Sequence, residues 1–417
     1  MSRADRIART AAHAIASRIE AGRIELIEDF PGGETVEFGP VEATLRSTVL
    51  IRDASFYRDL LRSKSIALGE GYAAGRWTTT DLMPLLRILA RDIHRADPIR
   101  ARMMPFLRPL QRLSTLRMLN TRNGARKHIA AHYDLGNDMF EAFLDRESMM
   151  YSSALYEHPE QTLEGAQATR LDRICDWLDL RSDDHLLEIG TGWGGLAIHA
   201  AARTGCKVTT TTISREQREY AEAKVRAAGL EDRISVIGDD YRDLKGQYEK
   251  LVSLEMIEAV GWEWFDTYFQ RCSELLRPDG LFFLQAIVID DGAYEAEKRT
   301  RTFANQVIFP GGCLPSLASI QSSIAAETNL RTVRLEDISD SYVLTLRDWR
   351  RRFEASAEQL EAMGYDEHFR RLWSFYLSFS EAGFQEARIR DIQVLFAKPE
   401  RVMGSPALLE APALIPA

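Results

Sequence analysis

The residues best placed to do chemistry are Glu188-Ile189-Gly190-Thr191-Gly192-Trp193-Gly194-Gly195. An apolar run, 186–189, ends in an acid and a glycine-rich turn, and 196–203 reads as the start of a helix. Glycines at such a turn let backbone N–H groups approach a ligand without a clashing Cβ. The spacing is G-x-G-x-G-G rather than the G-x-G-x-x-G of a dinucleotide site. The next apolar run ends in Thr212-Ile213-Ser214, with Gln217 beyond, where a dinucleotide enzyme carries an acid for the ribose. An amide can still bond a diol, so a ribose is allowed and NAD is disfavoured. Asp240-Tyr241 after the third run could hold and stack an adenine, and Glu255-Met256-Ile257-Glu258 after the fourth brings carboxylates to the same cleft.

These residues need a scaffold. Apolar runs at 186–189, 207–212, 234–237, 250–254 and 281–289 alternate with helical stretches such as 216–228 and 264–276. That alternation predicts an α/β fold with a parallel, doubly wound sheet, whose ligands bind at the carboxyl ends of the strands. Runs at 331–338 and 391–397 would complete it, and helices at 349–363 and 369–379 between them would cap the site. Residues 1–95 read as a small α+β N-terminal domain with strands at 23–27 and 44–51 and helices at 56–61 and 82–93. Ile7, Ala11, Ile15 and Ile19 form one face of its first helix. Residues 96–127 form a linker in which eight Lys and Arg meet one acid, Asp97, among Met, Phe and Leu residues. Such a segment suits an anionic membrane surface. The catalytic domain would span 128–400, followed by a loose Ala- and Pro-rich tail, 401–417.

The 417-residue chain has a net charge of −9, which argues against wholesale nucleic-acid binding. No apolar run approaches the ~18 residues of a spanning helix. Cys175, Cys206, Cys272 and Cys313 lie far apart, so neither a zinc site nor a disulfide framework is expected. A cytoplasmic location, peripheral at the inner face of the membrane, fits these features.

Together the motifs resemble the cyclopropane fatty acid synthase family, a class of S-adenosylmethionine-dependent methyltransferases. The resemblance rests on Gly69-x-Gly71-Tyr72, Gly75-x-Trp77, His132-Tyr133-Asp134-Leu135-Gly136-Asn137, Tyr151-Ser152-Ser153-Ala154, the glycine turn, Thr212-Ile213-Ser214-x-x-Gln217, Asp240-Tyr241-Arg242-Asp243 and Ile308-Phe309-Pro310-Gly311-Gly312-Cys313-Leu314-Pro315. It implies a Rossmann-like class I methyltransferase sheet with an antiparallel last strand and a helical acyl-site insertion. The implied reaction adds a carbon from S-adenosylmethionine to a cis double bond of a phospholipid acyl chain. A carbocation is then deprotonated by bound bicarbonate, and a cyclopropane closes.

By that resemblance Gly190, Gly192 and Gly194 line the methionine part of the cofactor, and Tyr151 and Ser152 contact it from the N-terminal side. Thr212, Ile213 and Gln217 hold the ribose, and Asp240 and Tyr241 the adenine. The bicarbonate cradle would be Glu258, Tyr342 and the backbones of Ser153 and Ile287. Glu258 is expected to be hydrogen-bonded and raised in pKa, because two like charges in a dry site repel. The partners implied are unsaturated phospholipid, an anionic membrane surface and, as in many relatives, a second copy of the chain.

Three positions depart from the better-known pattern: Ser153 for a cysteine, Ala259 for a histidine and Gln285 for the histidine that contacts bicarbonate. Glutamine hydrogen-bonds but cannot shuttle a proton. The same Glu-Met-Ile-Glu-Ala-Val-Gly segment with a following Gln resembles a sub-branch that includes plant cyclopropane synthases. Gln285 thus leaves ring closure open beside a methylene-branched or methylated unsaturated product. Outside this reaction, the alternatives are a small-molecule methyltransferase and a non-catalytic membrane-binding homologue.

Overall fold

A computed structural model of the chain describes residues 1–95, 97 and 136–401. The basic linker at 96–127, save Asp97, residues 132–135 of the His-Tyr-Asp motif and all of the tail but Arg401 lie outside the described residues.

The larger sheet has seven strands in the order β10-β11-β9-β8-β5-β6-β7. These are β5 (His185–Ile189), β6 (Lys207–Thr211), β7 (Ile234–Ile237), β8 (Tyr248–Leu254), β9 (Leu276–Ile289), β10 (Arg331–Asp337) and β11 (Ile389–Ala397). Strands β5 to β9 are parallel, whereas β11 runs antiparallel between β9 and β10. Strand order reverses between β5 and β8, where a doubly wound sheet opens its ligand crevice. Burial explains why the strands were readable: Leu186, Leu187, Leu251, Val252 and Phe282 to Leu284 are inaccessible on both faces. Helices Ser339–Ala355 and Glu367–Gln385, between β10 and β11, are the expected insertion.

The N-terminal part forms a second sheet, β2-β1-β3-β4, built from β1 (Arg23–Glu28), β2 (Thr35–Phe38), β3 (Arg46–Ile51) and β4 (Trp77–Thr79). Strands β2 and β4 escape sequence reading because they are short and their residues are mostly exposed or half-buried. Read as a separate unit, this part nevertheless shares a core with the insertion. Helix Ser65–Ala73 lies against Glu367–Gln385, with Trp77 edge-on to Phe375 at 6.3 Å and Arg371 over the Tyr72 ring at 4.2 Å. Gly69 is required there, because a Cβ would enter the Phe303 ring. Arg87 and Arg91 pair with Glu386 across the same seam. The Gly69-x-Gly71-Tyr72 motif thus lies where the N-terminal part packs on the helical insertion and on Phe303.

The first helix, Arg3–Ala16, turns its large apolar residues outward. Ala8 and Ala12 face the core, while Ile7 and Ile15 are 64% and 61% exposed and Ala11 and Ile19 are half-buried. The reason is ionic. Buried Glu28 accepts a two-pronged bond from Arg9 (2.7 and 2.6 Å) and a third from Tyr57 (2.6 Å), and this sets the rotation of the helix.

Candidate active site

A cavity opens at the carboxyl ends of β5, β6 and β8. The glycine turn supplies its floor with Gly190 (φ +106°) and Gly192 (φ +52°), left-handed conformations that favour glycine. Gly194, expected to line the cofactor, instead caps helix Gly195–Thr204 and packs on Ala221. Gly195 has a different duty: a Cβ would run into the Ser148 carbonyl oxygen, so glycine lets segment 148–153 cross the helix N-terminus. That crossing brings Tyr151 and Ser152 to the cavity wall.

On the other wall lie Thr212, Ile213, Gln217, Asp240 and Tyr241. Ser214 caps helix Arg215–Ala227, and the Thr212 hydroxyl donates to the Gln217 side-chain oxygen at 2.9 Å. That bond leaves the Gln217 amide hydrogens for a diol. The Asp240 carboxylate is held by Arg242 at 2.8 and 2.6 Å, so its charge is already balanced. Tyr241 stands edge-on to Tyr268 at 5.5 Å, leaving a flat apolar wall. A concave, glycine-floored site with a diol donor and an aromatic wall fits S-adenosylmethionine.

Of the two glutamates that follow β8, Glu255 lines this cavity and Glu258 does not. Glu255 follows β8 directly and has φ +48°, a strained conformation for a residue with a Cβ. Its Oε1 accepts from the Ser152 hydroxyl (2.6 Å), the Ser153 N–H (3.0 Å) and Gln285 Nε2 (2.9 Å). Its Oε2 accepts from the Tyr342 hydroxyl at 2.6 Å. Glu258 sits behind, accepting the Ile287 N–H at 2.5 Å, and the Cys313 N–H holds its carbonyl at 2.8 Å. Burial, then the neighbouring Glu255 charge, pushes Glu258 up to about 8. Burial also holds Asp391 well above the usual carboxylate range, with the Glu255 and Glu258 charges adding to it.

This arrangement already engages the residues of the expected bicarbonate cradle. Ser153 and Tyr342 donate to Glu255 and Ile287 donates to Glu258, so every expected donor is engaged by a side chain of this protein. A further anion would enter beside three clustered carboxyl groups, with the donors expected to hold it already engaged. In this arrangement the Glu255 carboxylate receives two of the donors expected for bicarbonate. Gln285 fits this reading: its amide binds Glu255 and Asp391, both at 2.9 Å, as a fixed donor.

Sequence reasoning placed Glu255 in the cleft but gave the chemistry to Glu258. The cue was that Glu255 is the first residue past β8. It also missed Arg170, although the helical spacing of Leu163, Ala166, Gln167, Leu171 and Ile174 sets that cation on a buried face.

The Glu258 environment has a consequence for stability. Below about pH 4.3 both folded and unfolded chains hold its proton; between there and about 8 only the folded chain does. Its stabilising share is therefore complete at low pH and lost as pH rises through about 8. Glu258→Gln, which cannot titrate, is expected to gain on the wild type by a few kcal/mol, to order of magnitude, across that window. Paired urea titrations from pH 5 to 8.5 check this; a constant difference would contradict it.

The family model described as mycolic acid cyclopropane synthetase matches residues 120–394. Tuberculostearic acid methyltransferase UfaA1 of Mycobacterium tuberculosis is 40% identical over 357 residues, covering 83% of this chain and 82% of that protein. Cyclopropane-fatty-acyl-phospholipid synthase of Escherichia coli is 32% identical over 361 residues, covering 86% and 90%. The structure of mycolic acid cyclopropane synthase CmaA1 complexed with SAH and CTAB superposes with a TM-score of 0.61 at 26% identity, covering 66% of this chain and 98% of that one. By sequence match, fold and cofactor cleft alike, the chain belongs to the mycolic acid cyclopropane synthetase family of S-adenosylmethionine-dependent methyltransferases.

Proposed function

We propose that this enzyme methylates a cis double bond in a phospholipid acyl chain, with Glu255 as the base that completes the reaction. The observation that carries the reading is the Glu255 carboxylate, open to the cofactor cavity and aimed by four donors. When bound, S-adenosylmethionine supplies a methyl group electrophilic enough for an alkene to capture. The alkene π pair forms the new C–C bond as the S–CH3 bond breaks with its pair left on sulfur, and a cation remains on the other alkene carbon. Tyr342, stacked on Phe384 at 4.3 Å and edge-on to Trp349, belongs to an aromatic wall that keeps water from that cation and offers it ring faces. Glu255 then takes a proton from the added methyl carbon.

Two endings share that proton. The freed C–H pair can close a three-membered ring on the cation. Alternatively, a hydride first moves from the methylated carbon to the cation, and the pair forms C=CH2, which a separate reductase would saturate. We favour the methylene branch, supported by the 40% identity to a protein described as a methyltransferase of tuberculostearic acid rather than as a cyclopropane synthase. The ring remains the second reading, supported by the 32% identity to a cyclopropane synthase over more of the chain. The test is incubation with labelled S-adenosylmethionine and liposomes with or without a cis-monounsaturated chain. Label confined to unsaturated lipid is expected, and proton NMR of the product separates vinylidene from ring hydrogens. Label absent from both lipids overturns the reading.

The substrate requires contact with a bilayer, and the first helix supports a place for it. Its outward arc carries Ile7 and Ile15 beside exposed Arg3, Arg6 and Arg18, a basic apolar face on an acidic protein. Ile7→Glu with Ile15→Glu is expected to weaken binding to phosphatidylglycerol vesicles at least about tenfold. Flotation at low and high salt measures it, and unchanged binding would discard this face.

A further inference from the structure

Arg170, in helix Leu163–Trp177, is completely buried beneath Glu255. Its Nη1 donates to the Ser152 hydroxyl oxygen at 2.5 Å and lies 3.5 Å from the Gln285 side-chain oxygen. Nε and Nη2 are buried without a hydrogen-bond partner among the described residues. A guanidinium held this way is costly to desolvate unless a negative charge compensates it. Serine has one hydroxyl hydrogen. With Arg170 donating to its oxygen, that hydrogen is directed to Glu255 Oε1, 2.6 Å away.

We propose that Arg170 is a positioning residue for deprotonation: it fixes Ser152 as a donor and supplies the positive charge that holds Glu255 as an anion. The inference rests on Glu255 being the base. The groups facing Glu255 come from five elements. They are Ser152 and Ser153 on the crossing segment, Gln285 on β9, Tyr342 on helix Ser339–Ala355, Asp391 on β11 and Arg170 itself, with Glu258 three residues along. Arg170 is the cation in that set. Burial raises Glu258 to about 8 and holds Asp391 above the usual carboxylate range, and the Ser152 hydroxyl bridges Arg170 to Glu255. Burial pulls Arg170 down and the charges of Glu255 and Asp391 pull it back up; a guanidinium in this setting remains charged.

The test compares full-length Arg170→Gln and Arg170→Lys with the wild type, using S-adenosylhomocysteine binding, thermal melting and the pH profile of kcat. Arg170→Gln is expected to bind S-adenosylhomocysteine within about threefold of wild type, because Arg170 does not line the cavity. Its kcat at pH 7 falls, and the acid limb of the profile moves up by about 1 to 3 pH units, the size of a lost neighbouring charge. Arg170→Lys restores most of the rate and moves the limb back. If Arg170→Gln does not fold, Ser152→Ala, which breaks the same chain at the hydroxyl, carries the test through an upward shift of the same limb. An unshifted limb in the folded variants overturns the proposal. Glu255→Gln is assayed in parallel. If it keeps full turnover, the base assignment fails; if it is inactive while Arg170→Gln keeps an unshifted limb, only the Arg170 proposal fails.

Discussion

Glu255→Gln is expected to lower kcat by about a hundred- to ten-thousand-fold, the usual range for loss of a general base. Cofactor affinity is expected to stay within about threefold, because the glycine floor and the Thr212–Gln217 pair are untouched. The amide is nearly isosteric, so the fold survives, but it cannot take a proton from carbon. It also replaces one acceptor oxygen by a donor. Oε1 receives three bonds and Oε2 one, so Tyr342 or the Ser152–Ser153 pair must face an N–H. Single-turnover assays with saturating S-adenosylmethionine and unsaturated liposomes check the rate, and calorimetry with S-adenosylhomocysteine checks the binding. Wild-type turnover in this variant would remove Glu255 from the mechanism.

Gly195→Ala should be the more damaging of two superficially equal glycine changes. Its Cβ meets the Ser148 carbonyl oxygen and lies 3.0 Å from the Met150 sulfur, so segment 148–153 must move. That segment delivers Tyr151 to the cavity and both Ser152 and Ser153 to Glu255. The expected outcome is a stability loss of about 1–3 kcal/mol for overpacking. Cofactor affinity and kcat should each fall by about tenfold or more, since 1.4 kcal/mol is a factor of ten. Gly192→Ala adds a Cβ with no protein atom within 4 Å, so its folding cost is confined to a left-handed backbone, about 1–2 kcal/mol. Thermal melts and cofactor titrations on both variants decide. Equal kcat in Gly195→Ala and wild type would contradict the crossing-segment account.

The contrast between those glycines shows what the sequence makes legible. Strands β5 to β9 and β11 are apolar runs with Gly, Pro or polar ends, and a buried sheet needs little more to be recognised. The cleft followed from strand order and the glycine turn. The duties of Gly190, Gly192, Gly194 and Gly195 did not, because they depend on what lies opposite: the cavity, Ala221 or the Ser148 carbonyl. Glu255 and Glu258 are three residues apart and alike as text. A left-handed φ at Glu255 turns one into the cavity and leaves the other behind it, and no local periodicity encodes that. Arg170 and Asp391 come together under the same carboxylate only because a helix and a strand distant in sequence bury both of them there. The first helix shows the converse. Its Ile stripe was visible, but the pull of Glu28 on Arg9, which turns the stripe outward, is a contact 19 residues distant.

The central claim is that Glu255 takes a proton from the transferred carbon without an added anion. The direct measurement uses trideuteromethyl S-adenosylmethionine, cis-monounsaturated phospholipid vesicles and degassed, bicarbonate-free buffer. The predicted product carries two deuterons on the added carbon, at a rate unchanged by added bicarbonate and abolished in Glu255→Gln. Retention of all three deuterons, or turnover that appears only with bicarbonate, would contradict it.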